Sequence, residues 1–357
     1  MTAVGTRRPP GWFAENYRRD TELLGTPGRR LVAVIVITLL VIYPFVSQSV
    51  WITFACTAAT SVITVVGLQI LMGSCGQVNI GQSAFMGVGA YGAAYVAVKH
   101  GWPVLAAVLF AGIVTTVAGL IFALPATRIR GFYLALTTIA AQYVFVFAVP
   151  ILPVSWLGGQ NGLALSPPRI FGVTLGTPLR LYFLIIPVAA VLVVIASFIN
   201  ASQLGRQMVA VRENELAAAI TGVHVVRTKI IAFGIASFYA GIAGALLANL
   251  NGLADYEQFS LTQSIWFLAF LVVGGIATVF GAVLGTLILS LVEQELNNLA
   301  PQFSQIPFLS GLGANVVFPM VSVIFGILII LILVFQPRGL AYAFSSLSQR
   351  LRQWPLG

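Results

Sequence analysis

Glycines at positions 73, 76, 81, 87, 89 and 92 interrupt apolar sequence of membrane length, and Gln77, Asn79, Gln82 and Ser83 stand among them. Lipid cannot hydrate the backbone groups of a broken helix, so a break of this kind must face protein or a watery path. In transport proteins, Gly-interrupted segments near the middle of the membrane are where solutes pass. On that reading Gly73, Gly76 and Gly81 let the backbone leave the helix, while Gln77, Asn79 and Gln82 supply hydrogen-bonding groups in an apolar channel. The competing reading is a helix whose small residues serve close packing.

Other residue patterns argue against chemistry of the chain's own. Gly87, Gly89 and Gly92 match the spacing of a dinucleotide fingerprint, which also needs a preceding strand and an acidic residue about twenty positions on. No Asp or Glu occurs between Glu22 and Glu213, and these glycines read as helix packing. A phosphate-binding loop needs a lysine after glycine, and neither lysine, Lys99 or Lys229, follows one. Any ATP that drives transport is therefore bound by another polypeptide. His100 and His224 fall in different loops on opposite sides, which disfavours a histidine-based catalytic or metal site. Cys56 and Cys75 lie in apolar context and read as packing residues. Proton-driven carriers place acids inside their spans. Here the nine acids fall in tails, loops and helix ends, with Glu293 and Glu295 the nearest to an exception.

The elements that must position these residues follow from composition. The chain is 59% hydrophobic and 8% charged, with a mean hydropathy of +0.99, too apolar to cover a soluble fold. Stretches of roughly spanning length recur at residues 31–51, 52–72, 83–98, 104–125, 132–152, 181–200, 230–250, 264–292 and 315–335. The expectation is an all-α polytopic bundle. Six arginines precede the first apolar run, which places that end in the cytoplasm. The C-terminal Arg338, Arg350 and Arg352 belong on the same side. That requires an odd number of crossings after residue 264, and Gly274, Gly275, Gly281 and Gly285 are enough to divide 264–292 into two short helices. The count becomes ten helices. It leaves Lys99, Arg169 and Arg180 as the outside cations among 18 Lys and Arg residues. The basic residues then set topology and meet anionic lipid headgroups, with no nucleic acid implied. Residues 1–30 read as a cytoplasmic tail, not a cleaved signal, with 11–24 either an interfacial helix or a frayed end. Residues 31–336 form the membrane domain and 337–357 a second cytoplasmic tail.

The most polar internal loop, 201–228, reads as one short amphipathic helix opened by Glu213 or Asn214 and stopped at Gly222. Such a helix suits docking into a groove on a soluble partner, or it is a connector lying on the membrane surface.

Several stretches together resemble the permease family of the branched-chain amino-acid ABC importers, in particular the longer of its two permeases. They are GQVNIGQSAFMGVGAYGAA, RIRGFYLALTT, WLGGQNGL, the internal GRQMVAVRENELAAAITGVHVVRTKIIAFGIASFYAGIAGAL and the terminal FQPRGL. The resemblance implies a bundle of two halves in inverted repeat, in which the 73–82 break and the 274–285 break are counterparts and Gly274 and Gly275 join the path. It implies that the internal loop is the helix that couples to an ATPase. Glu215, Ala217, Ala218 and Gly222 fill the family's motif there with one residue more between Glu and Gly than usual, and Arg206, Arg212 and Glu213 accompany them. It implies a sister permease, two ATPases carrying ATP and Mg, and an extracytoplasmic solute-binding protein, and the polar and aromatic stretches 156–163 and 255–257 between spans are the loops expected to meet that protein. The implied function is passage of branched-chain or other small amino acids across a bacterial inner membrane, with no cofactor bound by this chain and both termini cytoplasmic. A urea or short-chain amide permease is the alternative within the family, a sugar permease a more distant one, and an ATP-independent channel or carrier the different class.

Overall fold

A computed structural model describes residues 27–126, 132–170, 173–303, 314–336 and 339–343. The 11–24 segment, Arg128, Arg130, Arg338 and the last arginines lie outside the described residues. The chain is helical almost throughout: α1 Pro27–Val46, α2 Ser49–Leu68 continued by a π-helical turn Gln69–Ser74, α3 Gln82–His100, α4 Val104–Ala126, α5 Phe132–Ile151 and the short α6 Val154–Leu157. Then come α7 Pro178–Ala201, α8 Gln203–Glu213, α9 Glu215–Ile220, α10 Val225–Asn251, α11 Leu261–Gly274, α12 Val279–Phe303 and α13 Ala314–Phe335. The helix expected in each apolar stretch is present. Among the described residues six helices are long and apolar enough to cross a membrane by length and composition. The turn between α1 and α2 falls at residues 47–48, a few residues before the expected boundary at 51, and α1 starts at Pro27 instead of residue 31.

The core is a sheaf of α2, α3, α4 and α10, in which small residues let backbones approach. A Cβ at Gly89 would overlap the backbone of Gly241, and one at Gly244 the Met86 carbonyl. The fingerprint-like glycines of α3 therefore pack helices.

Two segments share one plan. The long α2 with its π turn is followed by the non-helical residues 75–81 and then by α3. The long α10 is followed by residues 252–260, with Leu253–Ala254 as strand β4 and a 3-10 turn at Tyr256–Phe259, and then by α11. The end of α2 lies by α8 and the beginning of α10, so the two units run in opposite directions. The counterpart of the 75–81 break is thus 252–260. The 274–285 glycines, expected in that role, form a tight helix contact. Gly275, at φ +114, turns the chain from α11 into α12, and a Cβ at Gly274 would overlap the Gly281 carbonyl.

Strand β1, Leu163–Ala164, pairs antiparallel with β4, so the two loops expected outside meet at one end of the bundle. A second small hairpin joins β2, Arg169–Ile170, to β3, Val173–Thr174.

Candidate functional site: broken helices and the internal loop

The break begins where α2 loosens into its π turn and Gly76, at φ +75, redirects the chain. Beyond it Gln77, Asn79, Gln82 and Ser83 are all buried. Asn79 ties the segment locally. Its Nδ2 donates to Gln82 Oε1 at 2.7 Å and its Oδ1 accepts the Gly81 amide at 2.9 Å. Gln82 Nε2 donates to the Ala236 carbonyl of α10 at 3.2 Å, and the Ile80 amide to Thr138 Oγ1 of α5 at 3.0 Å. The Gln77 carbonyl oxygen alone among these amides has no partner among the described residues.

The first amides of α3 need acceptors, as at any helix start. They find them on two other helices. The Ser83 amide donates to Ser264 Oγ of α11 at 2.9 Å, the Ala84 amide to Gln142 Oε1 of α5 at 2.8 Å, and Ser264 Oγ donates to the same Gln142 oxygen at 3.1 Å. Gln142 Nε2 donates to the Phe259 carbonyl at 2.5 Å. One glutamine thus fastens the starts of both interrupted helices. Sequence reasoning missed Gln142, Thr138 and Ser264. The signal available was a lone amide inside the apolar run 132–152, where a polar side chain needs partners.

The internal loop holds two helices where one was expected. Ser202 caps α8 through the Gly205 amide, and Asn214 caps α9 by accepting the amides of Leu216 and Ala217, both at 3.0 Å. The expected stop is present, since the chain leaves α9 at Gly222 with φ +87. Of the residues named from the motif, Arg206, Glu213, Ala217 and Gly222 are exposed and Ala218 is buried. Leu216 and Ile220, one turn apart, are the large apolar side chains turned outward, 72% and 79% exposed.

Helices α8 and α9 and the break touch each other. Arg212 donates to the Gly73 carbonyl at 2.5 Å and pairs with Glu213 at 2.6 Å. Lys229, at the start of α10 and almost fully buried, pairs with Glu215 at 2.6 Å. Gly76 lies against Arg212 and Gly73 against Ile276 in the α11–α12 turn. Gly275 in turn lies against Gly339. The structure therefore brings Gly73, Gly76 and Gly275 to the end that carries α8 and α9, and keeps Asn79, Gly81 and Gln82 deeper, near α5 and α10. At the opposite end Trp156 is exposed, and Asp255 and Glu257 flank Tyr256. Partial desolvation, then these two acids, raise the phenol of Tyr256 above its ordinary range.

Residues 50–333 match the family described as the branched-chain amino acid transport system permease component. The chain is 27% identical, over 88% of its length and 75% of the relative's, to the permease protein LivM of the high-affinity branched-chain amino acid transport system of Escherichia coli (strain K12). It is 28% identical, over 66% of its length and 67% of the relative's, to a probable branched-chain amino acid transport permease LivM of Methanocaldococcus jannaschii. A shorter similarity, 32% over 41% of this chain and 44% of the relative, links it to the ribose import permease RbsC of Bacillus subtilis. No solved structure matches it significantly.

Proposed function

From the premise that this chain belongs to the branched-chain amino acid permease family, we propose that it is the longer permease of an ATP-driven importer in a bacterial inner membrane, with both termini cytoplasmic. It carries branched-chain or other small amino acids delivered by an extracytoplasmic binding protein. Two ATPases bind ATP and Mg, and a sister permease completes the pathway. The observation that carries this reading is the link between an exposed apolar pair and the break. Leu216 and Ile220 offer a docking face on α9, while Glu215–Lys229 and Arg212–Gly73 tie α8 and α9 to the start of α10 and the end of α2. A push on α9 from a partner that changes shape with ATP then moves two long helices, which is how a small local shift shifts an inward–outward equilibrium. Gly73, Gly76, Gln77, Asn79, Gly81 and Gln82, with Gly274 and Gly275, form the inner closure of the path. A sugar permease is the second reading, supported by the shorter similarity to the ribose permease.

The test is reconstitution of the full complex in liposomes with labelled leucine, ribose and urea offered through the binding protein. Uptake of leucine that requires ATP is expected. Leu216→Asp with Ile220→Asp should separate the ATPases from the membrane subunits while the permease pair stays assembled. Uptake without ATP, or ATPases retained in that variant, overturns the reading.

A further inference from the structure

A groove of about 500 Å³ opens between the first half of α2, α11 and the second half of α12. Ser49, Thr53, Thr57 and Ser61 recur every fourth residue and so form one polar stripe along α2, all four lining the groove. Facing them from α12 are Glu293 and Gln294, and Phe270 of α11 contributes an aromatic wall. The stripe starts at the end of α2 opposite α8, the end where β1 pairs with β4 and which the expected charge bias puts outside. The size lies within the range of about 300–1,000 Å³ usual for small-molecule sites.

Glu293 is the chemically distinctive member. At 1.5 Å per residue it lies about 21 Å along α12 from Val279, inside a hydrocarbon layer about 30 Å thick. Among the described residues no cation or hydrogen-bond donor engages its carboxylate, and the groove wall contains no Lys or Arg. A carboxylate inside a spanning helix is costly unless it meets a positive partner or water. The hydroxyls of Thr53 and Thr57 donate back to their own helix, each at 3.1 Å, which leaves their oxygens as acceptors toward the groove. The wall thus offers the hydroxyl oxygens of α2 and the carboxyl of Glu293 beside the amides of Gln263, Gln294 and Asn297.

We propose that this groove is the outer part of the solute path and that Glu293 is its selectivity group, receiving the ammonium of a small zwitterionic amino acid. A neutral sugar or urea gains nothing from that charge. The proposal rests on the importer reading for its direction of transport, but the accessibility and charge of the groove are independent of it.

The test has two arms in the assembled complex. In the first, Thr57→Cys is treated from outside with membrane-impermeant thiol reagents of similar size, one cationic and one anionic. Both native cysteines are buried and the unsubstituted complex supplies the background. Thr57→Cys should react from outside, with the cationic reagent favoured by about tenfold, the low end of what a charged cleft does to local counter-ion concentration. Adding Glu293→Gln should remove that preference. In the second arm, Glu293→Gln should lower leucine uptake by about tenfold while ATPase assembly and binding-protein-stimulated ATP hydrolysis remain. No labelling from outside, a preference unchanged by Glu293→Gln, or unchanged uptake in a functioning complex overturns the proposal. If the unsubstituted complex takes up no leucine with ATP, the importer reading fails and the labelling arm still decides the groove.

Discussion

The start of α3 and the wall of the outer groove both carry polar side chains in an apolar bundle, and they treat them in opposite ways. At the start of α3, Asn79, Gln82, Gln142 and Ser264 are buried, and each finds its partner on the break or on α3, α5, α10 or α11. In the groove, the hydroxyls of α2 turn back on their own helix and Glu293 has no partner among the described residues. Satisfied buried polar groups fix one arrangement of helices, because any rearrangement costs a desolvated, unpaired group. Unsatisfied groups facing open space leave interactions for something that is not part of the chain. The distinction is between the network around Gln142 and the carboxyl of Glu293, because Gln77 Oε1 and Ser83 Oγ at the break also lack partners among the described residues.

That contrast breaks most sharply at Gly73 and Gly81, where a Cβ would overlap the carbonyls of Ile276 and Thr138. Gly81→Leu should cost about 3 kcal/mol or more, lowering thermal stability and assembly of the purified complex together with uptake. Thr57→Leu in the groove should leave stability within about 0.5 kcal/mol and reduce uptake alone. A stable, assembled, transport-dead Gly81→Leu complex would erase the distinction.

The ion pair beneath α9 comes next. Glu215→Ala leaves the Lys229 ammonium buried without its counter-charge and should destabilise by roughly 3 kcal/mol. Adding Lys229→Met to the same chain should recover most of that in thermal unfolding. Recovery of stability without recovery of ATP-coupled uptake would assign the pair to transmission as well as to folding. If the double variant is no more stable than Glu215→Ala, the pair is not what holds α9.

The smallest effect expected is at the fastening point of the two interrupted helices. Gln142→Leu strips partners from the Ala84 amide, the Ser264 hydroxyl and the Phe259 carbonyl at once, and should cost about 1–3 kcal/mol. Gln142→Glu keeps the acceptor for the Ala84 amide and Ser264 and should cost less. Equal losses in the two variants, measured by thermal unfolding, would mean that the shared acceptor contributes little.

Hydropathy located the apolar helices, because each span must bury its backbone groups within itself, and the division at 264–292 came from the parity of the basic ends and the 274–285 glycines. The short helix α9 was legible from Asn214 and Gly222, a cap and a stop at the right spacing. Helix α8 was not, since its only signals are Ser202 as a cap and an amphipathic pattern in a polar setting. Gln142 and Glu293 were visible as letters and not as roles. A lone amide or acid in an apolar run has the same sequence whether it is paired or free.

The membrane class, the helix order and the family were determined by the sequence itself, through length, hydropathy and motif. These are properties of each segment against lipid and water, and need no neighbour. The pairing of the 75–81 break with 252–260 instead of the 274–285 glycines, the satisfaction of Asn79 and Gln82, the burial of Lys229 on Glu215 and the open groove at Glu293 were decided by tertiary structure. Each depends on which atoms from distant parts of the chain come within hydrogen-bond or van der Waals reach, and local preference carries no record of that.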